Sequence, residues 1–497
     1  MQRNYRTRTR QNKPQLIFCH TLSTVSAHTG QCDCACAATV PAADHVAAPL
    51  ENMVYQTAAG ITFPVTADYS ARLGQTHPAV VINDPTLRML AHFQQPRSLE
   101  DVPTGWRDAW GESHVNTTLT QMRALGLLTP ASYTLPTLAE TPTLLSAWLH
   151  LTDRCNLRCD YCYLPHARAD MSPATGHAAM DATFRSALAH GYRAVKLKYA
   201  GGEPLLRFPF IVELHRYAHS LAQQHGLTVD GVILSNGTLL TADMVETMQA
   251  EGLRLMISLD GLGTYHDSQR HFPDGRGSFD AVARAVELAL VGGLVPDISI
   301  TVSGRNAEGL PDVVAWVLER DLPFSLNFYR EHGSSDWQSD LRLDEVRISE
   351  GMLAAYKIVE ANLPRRSLLA SLADRANLAA PHQRVCSVGQ SYLVFDTEGR
   401  VAPCQMAIGQ TVADCHDPDP LTAIRESATG LHNPTVDEKK GCRACEWRYW
   451  CAGGCPLQAY RAAGRYDAKS PNCNIYKALY PEVVRLEGLR LLKYAEA

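Results

Sequence analysis

The chain has 497 residues, 45% of them apolar and 20% charged, with a formal net charge of -5. That length is too great for one ordinary core and calls for two to four domains, while the composition is that of a soluble globular protein. The charge gives no reason to expect nucleic acid as a partner, and no run approaches the roughly 18 apolar residues of a membrane span. A polar opening, Met1-Gln-Arg-Asn-Tyr-Arg, with no apolar segment behind it speaks against a secretory signal, so a cytoplasmic location is expected.

Fifteen cysteines are many for such a chain, and they are clustered: Cys19, Cys32, Cys34 and Cys36, then Cys155, Cys159 and Cys162, then eight after residue 385. Disulfide scaffolds are usually small and secreted, so clusters in a long cytoplasmic chain favour metal sites.

Residues 1–70 lack sustained periodicity and are expected to be a flexible arm with one short hairpin near Val54 to Val65. Its cysteines have three readings: incidental thiols, a metal clip with Cys19, or a substrate-like segment. Residues 71–140 form a small winged-helix-like module. Ala79-Val-Val-Ile-Asn is a strand, Asp84-Pro-Thr starts a helix with Asp84 as its cap, and Ser98-Leu-Glu-Asp-Val is a short helix. Val115 to Leu125 is a longer helix that ends at Gly126.

From 141 to 335 strand and helix alternate. Strands are expected at Leu145–Leu151, Val195–Tyr199, Val229–Leu234, Leu253–Leu259, Asp297–Val302 and Phe324–Tyr329, with amphipathic helices between them. The class is α/β, a partial (β/α)6 TIM-like barrel, whose working residues lie in loops after the strand C-termini. The run Leu149-His-Leu-Thr-Asp-Arg-Cys-Asn-Leu-Arg-Cys-Asp-Tyr-Cys-Tyr follows the first strand as that rule requires. Its C-x3-C-x2-C spacing suits a cluster of several irons, and three ligands on a four-iron cluster leave one iron open. Residues 336–380 read as a helical bridge. Residues 381–497 are loop-rich, with too little apolar density for a large core, so metal is expected to supply cohesion there, with a closing helix from Tyr480 to Tyr494.

The C-x3-C-x2-C run with Tyr161, Gly201-Gly202-Glu203-Pro204 after the second strand and Ser258-Leu-Asp-Gly after the fourth resemble radical S-adenosylmethionine enzymes. Cys386, Gly399, Cys404, Cys442, Cys445, Cys451, Cys455 and Cys473 match the spacing of the SPASM extension of that superfamily. The 71–140 module resembles the PqqD-like peptide-recognition element of enzymes that modify ribosomally made peptides.

The resemblance implies that Cys155, Cys159 and Cys162 hold a [4Fe–4S] cluster whose open iron binds S-adenosylmethionine. Backbone groups at Gly201, Gly202 and Glu203 would take the methionine amino end, with Asn236, Ser258 and Arg270 at further cofactor contacts. Splitting the cofactor would give a 5′-deoxyadenosyl radical that abstracts a substrate hydrogen. Two auxiliary [4Fe–4S] clusters are implied, the outer on Cys442, Cys445, Cys451 and Cys473. The inner one, on Cys386, Cys404 and Cys455, is a ligand short; Cys415 completes it, or the site stays open for a substrate thiolate. Relatives that make formylglycine usually carry Asp where this chain has Gln405, which weighs against that reaction.

The implied function is a peptide maturase that cross-links a ribosomal precursor peptide or small protein, with an electron donor such as flavodoxin or ferredoxin. The alternatives are a maturase of a folded partner enzyme and a non-enzymatic iron–sulfur regulator. The presumed recognition helix, His114 to Gly126, has one Arg and no Lys, which disfavours DNA.

Overall fold

The structure is a computed structural model describing residues 13–18, 53–135, 138, 142–164, 166–332, 336–374 and 376–495. Cys19, Cys32, Cys34 and Cys36, and with them every reading of those thiols, lie outside the described residues.

Seven short strands open the chain: β1 Leu16–Phe18, β2 Val54–Thr57, β3 Gly60–Pro64, β4 Tyr69–Gly74, β5 Val80–Asn83, β6 Arg97–Ser98 and β7 Leu128–Pro130. They form one sheet in the order β1-β5-β4-β3 and a small second sheet, β6-β2-β7. The expected hairpin near Val54 to Val65 does not form, because β2 pairs with β6 and β7 whereas β3 pairs with β4. Ala58 and Ala59 between them supply none of the positive-φ residues that a two-residue hairpin turn needs. The stretch read as an arm thus contributes four-residue and five-residue strands to two different sheets.

Two local expectations are also corrected. Helix Asp84–His92 is capped by Asn83, whose side chain accepts from Thr86 N, while Asp84 lies in the first turn. Arg97–Ser98 is a strand, and the short helix begins later, at Thr104.

The six parallel strands of the barrel are β8 Leu144–His150, β9 Ala194–Ala200, β10 Thr228–Ser235, β11 Leu253–Ser258, β12 Asp297–Val302 and β13 Phe324–Phe328. They lie in sequence order, each pair parallel, with helices such as Pro173–Ala189, Phe208–His225 and Phe279–Val291 between them. Side chains alternate across the pleat. Leu145, Ala147 and Leu149 of β8 and Val195, Leu197 and Tyr199 of β9 are fully buried in the main core. On β9, Lys196 and Lys198 take the alternate positions, and Lys196, Asp230, Arg254 and Asp297 form a chain of ion pairs across four neighbouring strands. The sheet does not stop at β8. Strand β14 Tyr392–Phe395 pairs parallel to it and leads to β15 Arg400–Ala402 and β16 Ala413–Asp414. This extension carries the C-terminal cysteines to the barrel edge.

Helix Cys473–Tyr494 closes the chain, longer than the expected Tyr480–Tyr494 and with Pro481 inside it. It packs on helix Glu345–Ala361 and on β3, β4 and β5. Among the described residues no helix is long and apolar enough to cross a membrane.

Candidate active site and cysteine centres

After β8 the chain turns into a loop because its polar side chains bond their own backbone in place of a ladder. Thr152 Oγ1 accepts from Arg154 N at 3.1 Å and donates to Asp170 at 2.5 Å. Arg158 Nη1 donates to the carbonyls of Cys155 and Leu157. The loop backbone is also paired across the barrel mouth, Arg158 N to His271 O and Asp160 N to Gln269 O.

Cys155, Cys159 and Cys162 on this loop are unpaired and half-buried. Burial, with neighbouring cysteines adding to it, pushes the Cys155 thiol up to about 11 and that of Cys159 up to about 12. Arg270 opposes this at Cys159, with Nη1 3.9 Å from the sulfur. Three thiols that burial holds protonated become thiolates together only against added positive charge. The donor set therefore fits a metal cluster.

The Gly201–Pro204 run follows β9 and is bonded to the same loop. Gly202 N donates to Thr152 O at 2.6 Å and Glu203 N to Arg154 O at 2.8 Å. A Cβ on Gly201 would lie 2.5 Å from Thr152 O, and one on Gly202 would lie 2.6 Å from the Arg154 carbonyl carbon. Only glycines permit this approach. These two N–H groups are thus spent on the loop.

The Glu203 carboxylate is fully buried and accepts from Leu205 N, Ser235 Oγ and Asn236 N. Burial raises its pKa, opposed by those three donors. Its side chain thus ties β9 to β10 and places Asn236, whose Nδ2 reaches Asn156 Oδ1 at 3.0 Å and the Cys155 sulfur at 3.9 Å. Ser258 ends β11, one position beyond the Ser235–Ile257 pair, level with Asn236. Arg270 donates through Nε to Asp260 at 2.7 Å and lies over the Tyr161 ring. It thus braces the cysteine loop. Sequence reading missed Asp260, which is buried and accepts from Arg270, the Tyr161 hydroxyl and Thr301 N. Its signal was present in the Ser258-Leu-Asp-Gly run, read there for the serine alone.

The C-terminal cysteines form two groups. Cys442, Cys445, Cys451 and Cys473 line one cavity together with Trp447, Tyr476 and Tyr480. All four are unpaired, and burial pushes Cys451 up to about 11. Cys386 and Cys404 lie with Cys442 in a second apolar cluster, with Cys455 packed against it. Asn433 Nδ2 donates to Cys386 O and sits 3.7 Å from its sulfur. Gln405 is buried and accepts the Tyr392 hydroxyl at 3.0 Å. Cys415 is elsewhere, in the main core, with Arg185 on its carbonyl and Asp414 beside its thiol. Buried Arg330 and Asp374, paired at 2.6 Å, join the end of β13 to Tyr476 of the outer cavity, whose hydroxyl donates to Asp374.

Residues 149–317 match the Radical SAM superfamily model. The chain is 29% identical over 359 residues to an AdoMet-dependent heme synthase of Methanosarcina barkeri, covering 67% of this chain and 96% of the relative. It is 26% identical over 354 residues to a PqqA peptide cyclase of Xanthomonas campestris pv. campestris, covering 68% and 88%. The solved structure of anSMEcpe with bound AdoMet and Cp18Cys peptide shares the fold at a TM-score of 0.56 and 18% identity, over 69% of this chain and 99% of that one. The matched segment holds the cysteine loop, the glycine run and the strand ends that meet around them. Residues 149–317 form a radical SAM domain, and the protein is an enzyme with an iron–sulfur cluster and S-adenosylmethionine as its cofactors.

Proposed function

We propose that this enzyme is a maturase of a ribosomally made peptide or small protein, abstracting a hydrogen from it and closing a cross-link. The single observation that carries the peptide reading is the N-terminal sheet. Its β3 strand ends the sheet among the described residues, and the same sheet packs on the helix that begins at Cys473 of the outer cavity. An extended peptide adds to such an edge through main-chain hydrogen bonds. The helix Glu112–Ala124, which packs on β7 of the second sheet, offers no DNA-binding face, since its lone Arg123 lies over the Tyr55 ring. In this reading residues 71–140, together with β2 and β3, form the docking module, 141–335 the radical domain, 336–380 a bridge and 381–497 the auxiliary-cluster domain.

When bound, the cluster supplies the electron that splits S-adenosylmethionine into methionine and the hydrogen-abstracting 5′-deoxyadenosyl radical. Cys155, Cys159 and Cys162 would hold it. The carbonyls of Gly201 and Gly202 would accept from the methionine amine, and Asn236 and Ser258 would line the strand ends beside it. Arg270, fixed by Asp260, keeps a guanidinium against the loop sulfur and a cation over Tyr161. Cys442, Cys445, Cys451 and Cys473 would hold an outer auxiliary cluster, and Cys386, Cys404 and Cys455 an inner one. With Cys415 in another core, the fourth inner position is left to the substrate or solvent. Buried Gln405 is neutral where a proton acceptor would be needed, which supports a product other than formylglycine. A cytoplasmic enzyme of this kind draws electrons from a flavodoxin or ferredoxin.

Similarity to the heme synthase favours a second reading, in which the substrate is a tetrapyrrole. Mass spectrometry separates the two. Co-expression with a candidate precursor should yield a peptide lighter by the hydrogens lost in one cross-link. An unmodified peptide, alongside porphyrin turnover by the purified enzyme, would establish the rival. Anaerobically reconstituted protein should carry about twelve irons if three four-iron clusters are present; about four would remove both auxiliary clusters. Replacing Cys155, Cys159 and Cys162 together by Ala should abolish 5′-deoxyadenosine formation.

A further inference from the structure

Lys439 is among the largest fully buried side chains of the protein. Its Nζ donates to two backbone carbonyls, Ala452 O at 2.8 Å and Gly454 O at 3.3 Å, and among the described residues no carboxylate pairs with it. The neighbouring Lys440, by contrast, is exposed and pairs with Asp467. Neutral carbonyls satisfy the donors of an ammonium but not its charge, and a buried charge without a counter-charge costs several kcal/mol.

Both carbonyls belong to the turn that joins the two sets, Ala452 directly after Cys451 of the outer set and Gly454 directly before Cys455 of the inner one. The backbone is shaped to admit the side chain. Gly453 has φ +75°, and a Cβ there would lie 2.5 Å from Lys439 Cδ and 3.1 Å from Nζ. The Lys439 carbonyl accepts from Cys442 N, so the residue is also anchored at the start of the outer set.

We infer that Lys439 is the shared buried counter-cation of the two C-terminal cysteine centres, a positioning residue that offsets thiolate charge on both and raises the potentials at which they accept an electron. This rests on the reading that both sets bind clusters. A fixed positive charge beside a cluster stabilises its reduced, more negative form. The position between the sets makes the effect common to both.

Lys439→Met keeps the length of the side chain and removes its charge; Lys439→Arg keeps a charge. Iron content of the wild-type protein first tests the underlying reading, because about four irons would end it without reference to Lys439. With all clusters present, redox titration followed by EPR should show both C-terminal signals of K439M shifted to more negative potential, with the Cys155–Cys162 signal unmoved. Melting gives an independent readout. In metal-free protein, thiols of ordinary pKa are neutral at pH 7, so the buried cation has no counter-charge and K439M should melt higher than wild type. In the loaded protein the order should reverse. If K439M loads poorly at the C-terminal sites while K439R loads well, charge is again the cause. Unshifted potentials, a K439M that melts lower in both states, or equal loss of iron from both variants would each overturn the assignment and leave Lys439 a structural tether.

Discussion

Gly202→Ala tests the joint on which the radical site is built. A Cβ at this position meets the Arg154 carbonyl carbon at 2.6 Å and Asp153 O at 2.8 Å, both backbone atoms one or two residues before Cys155. Ordinary contact needs about 3.5 Å, so the loop or the glycine run must recede by close to 1 Å. Overpacking of that kind costs about 1–3 kcal/mol, and stretching the Glu203 N to Arg154 O bond adds about 0.5–1.5 kcal/mol. The larger effect is positional. A shift of about 1 Å between groups that must align is worth on the order of 100-fold in rate. The expected result is a folded protein that still binds iron through Cys155, Cys159 and Cys162, binds S-adenosylmethionine more weakly, and forms 5′-deoxyadenosine about 100-fold more slowly. The assay is single-turnover 5′-deoxyadenosine release with dithionite, alongside iron content. A G202A enzyme with wild-type affinity and wild-type release would refute the view that these two segments form one rigid cradle.

Other outcomes follow from particular contacts. Asp374→Asn leaves Arg330 buried with its bidentate partner neutralised and should cost about 3–5 kcal/mol in denaturant unfolding; a change within experimental error would show the pair to be dispensable. Cys415→Ala should destabilise by about 1–2 kcal/mol yet leave iron content unchanged, because the thiol packs in the main core apart from Cys386 and Cys404; loss of iron would make it a ligand after all. Burial lowers His77 and His215 from 6.5 to about 4 in the folded chain. Below pH 6.5 the unfolded chain takes up protons that the folded chain refuses. Their stabilisation is therefore complete above that pH and is lost as pH falls toward 4, by up to about 3 kcal/mol each. Melting temperature should begin to fall near pH 6.5, before carboxylates titrate, and a flat curve from pH 7 to 5 would contradict the assignment.

The barrel was legible because each of its strands is an apolar or alternating run bounded by an amphipathic helix, a local signal that parallel pairing with sequence neighbours preserves. The site was legible for a related reason: Cys155–Cys162 and Gly201–Glu203 sit directly after two such strands. What escaped depended on distant partners. Strand β1 gains its role only from β5, some 64 residues away, and β2 and β3 are divided between sheets by bonds such as Thr57 N to Phe93 O and Ala58 N to Leu127 O. Strand β14 is four residues in a loop-rich region and is defined by β8, about 245 residues earlier. Lys439, an ordinary surface residue by composition, is buried only because the chain at 451–455 folds back around it. No pattern in the sequence announces a charge whose partners are cysteines assigned to something else.

The contact between the N-terminal sheet and the closing helix yields the last test. Gly488 lies within helix Cys473–Tyr494, and a Cβ there would sit 2.5 Å from Val65 Cγ2 and 3.4 Å from Ala71 Cβ. Both neighbours are buried in the main core, so they have little room to give. Gly488→Ala gains up to about 1 kcal/mol of helix propensity and loses about 1–3 kcal/mol to overpacking, a net loss of around 1 kcal/mol. The consequence reaches further than stability. Phe63 of β3 stacks on Trp447 at 5.1 Å, Trp447 meets Tyr480 at 5.2 Å, Tyr480 stacks on Tyr476, and Tyr476 on Phe328 at the end of β13. A continuous column of rings therefore runs from the edge strand past the outer cysteine cavity to the barrel mouth. Lifting the sheet from the helix disturbs the first joint of that column while leaving the radical site untouched. G488A should thus form 5′-deoxyadenosine at the wild-type rate without peptide and lose rate only with a tethered precursor. Equal loss in both assays would mean that sheet and barrel are coupled by some other route, and no loss in either would mean that the column transmits nothing.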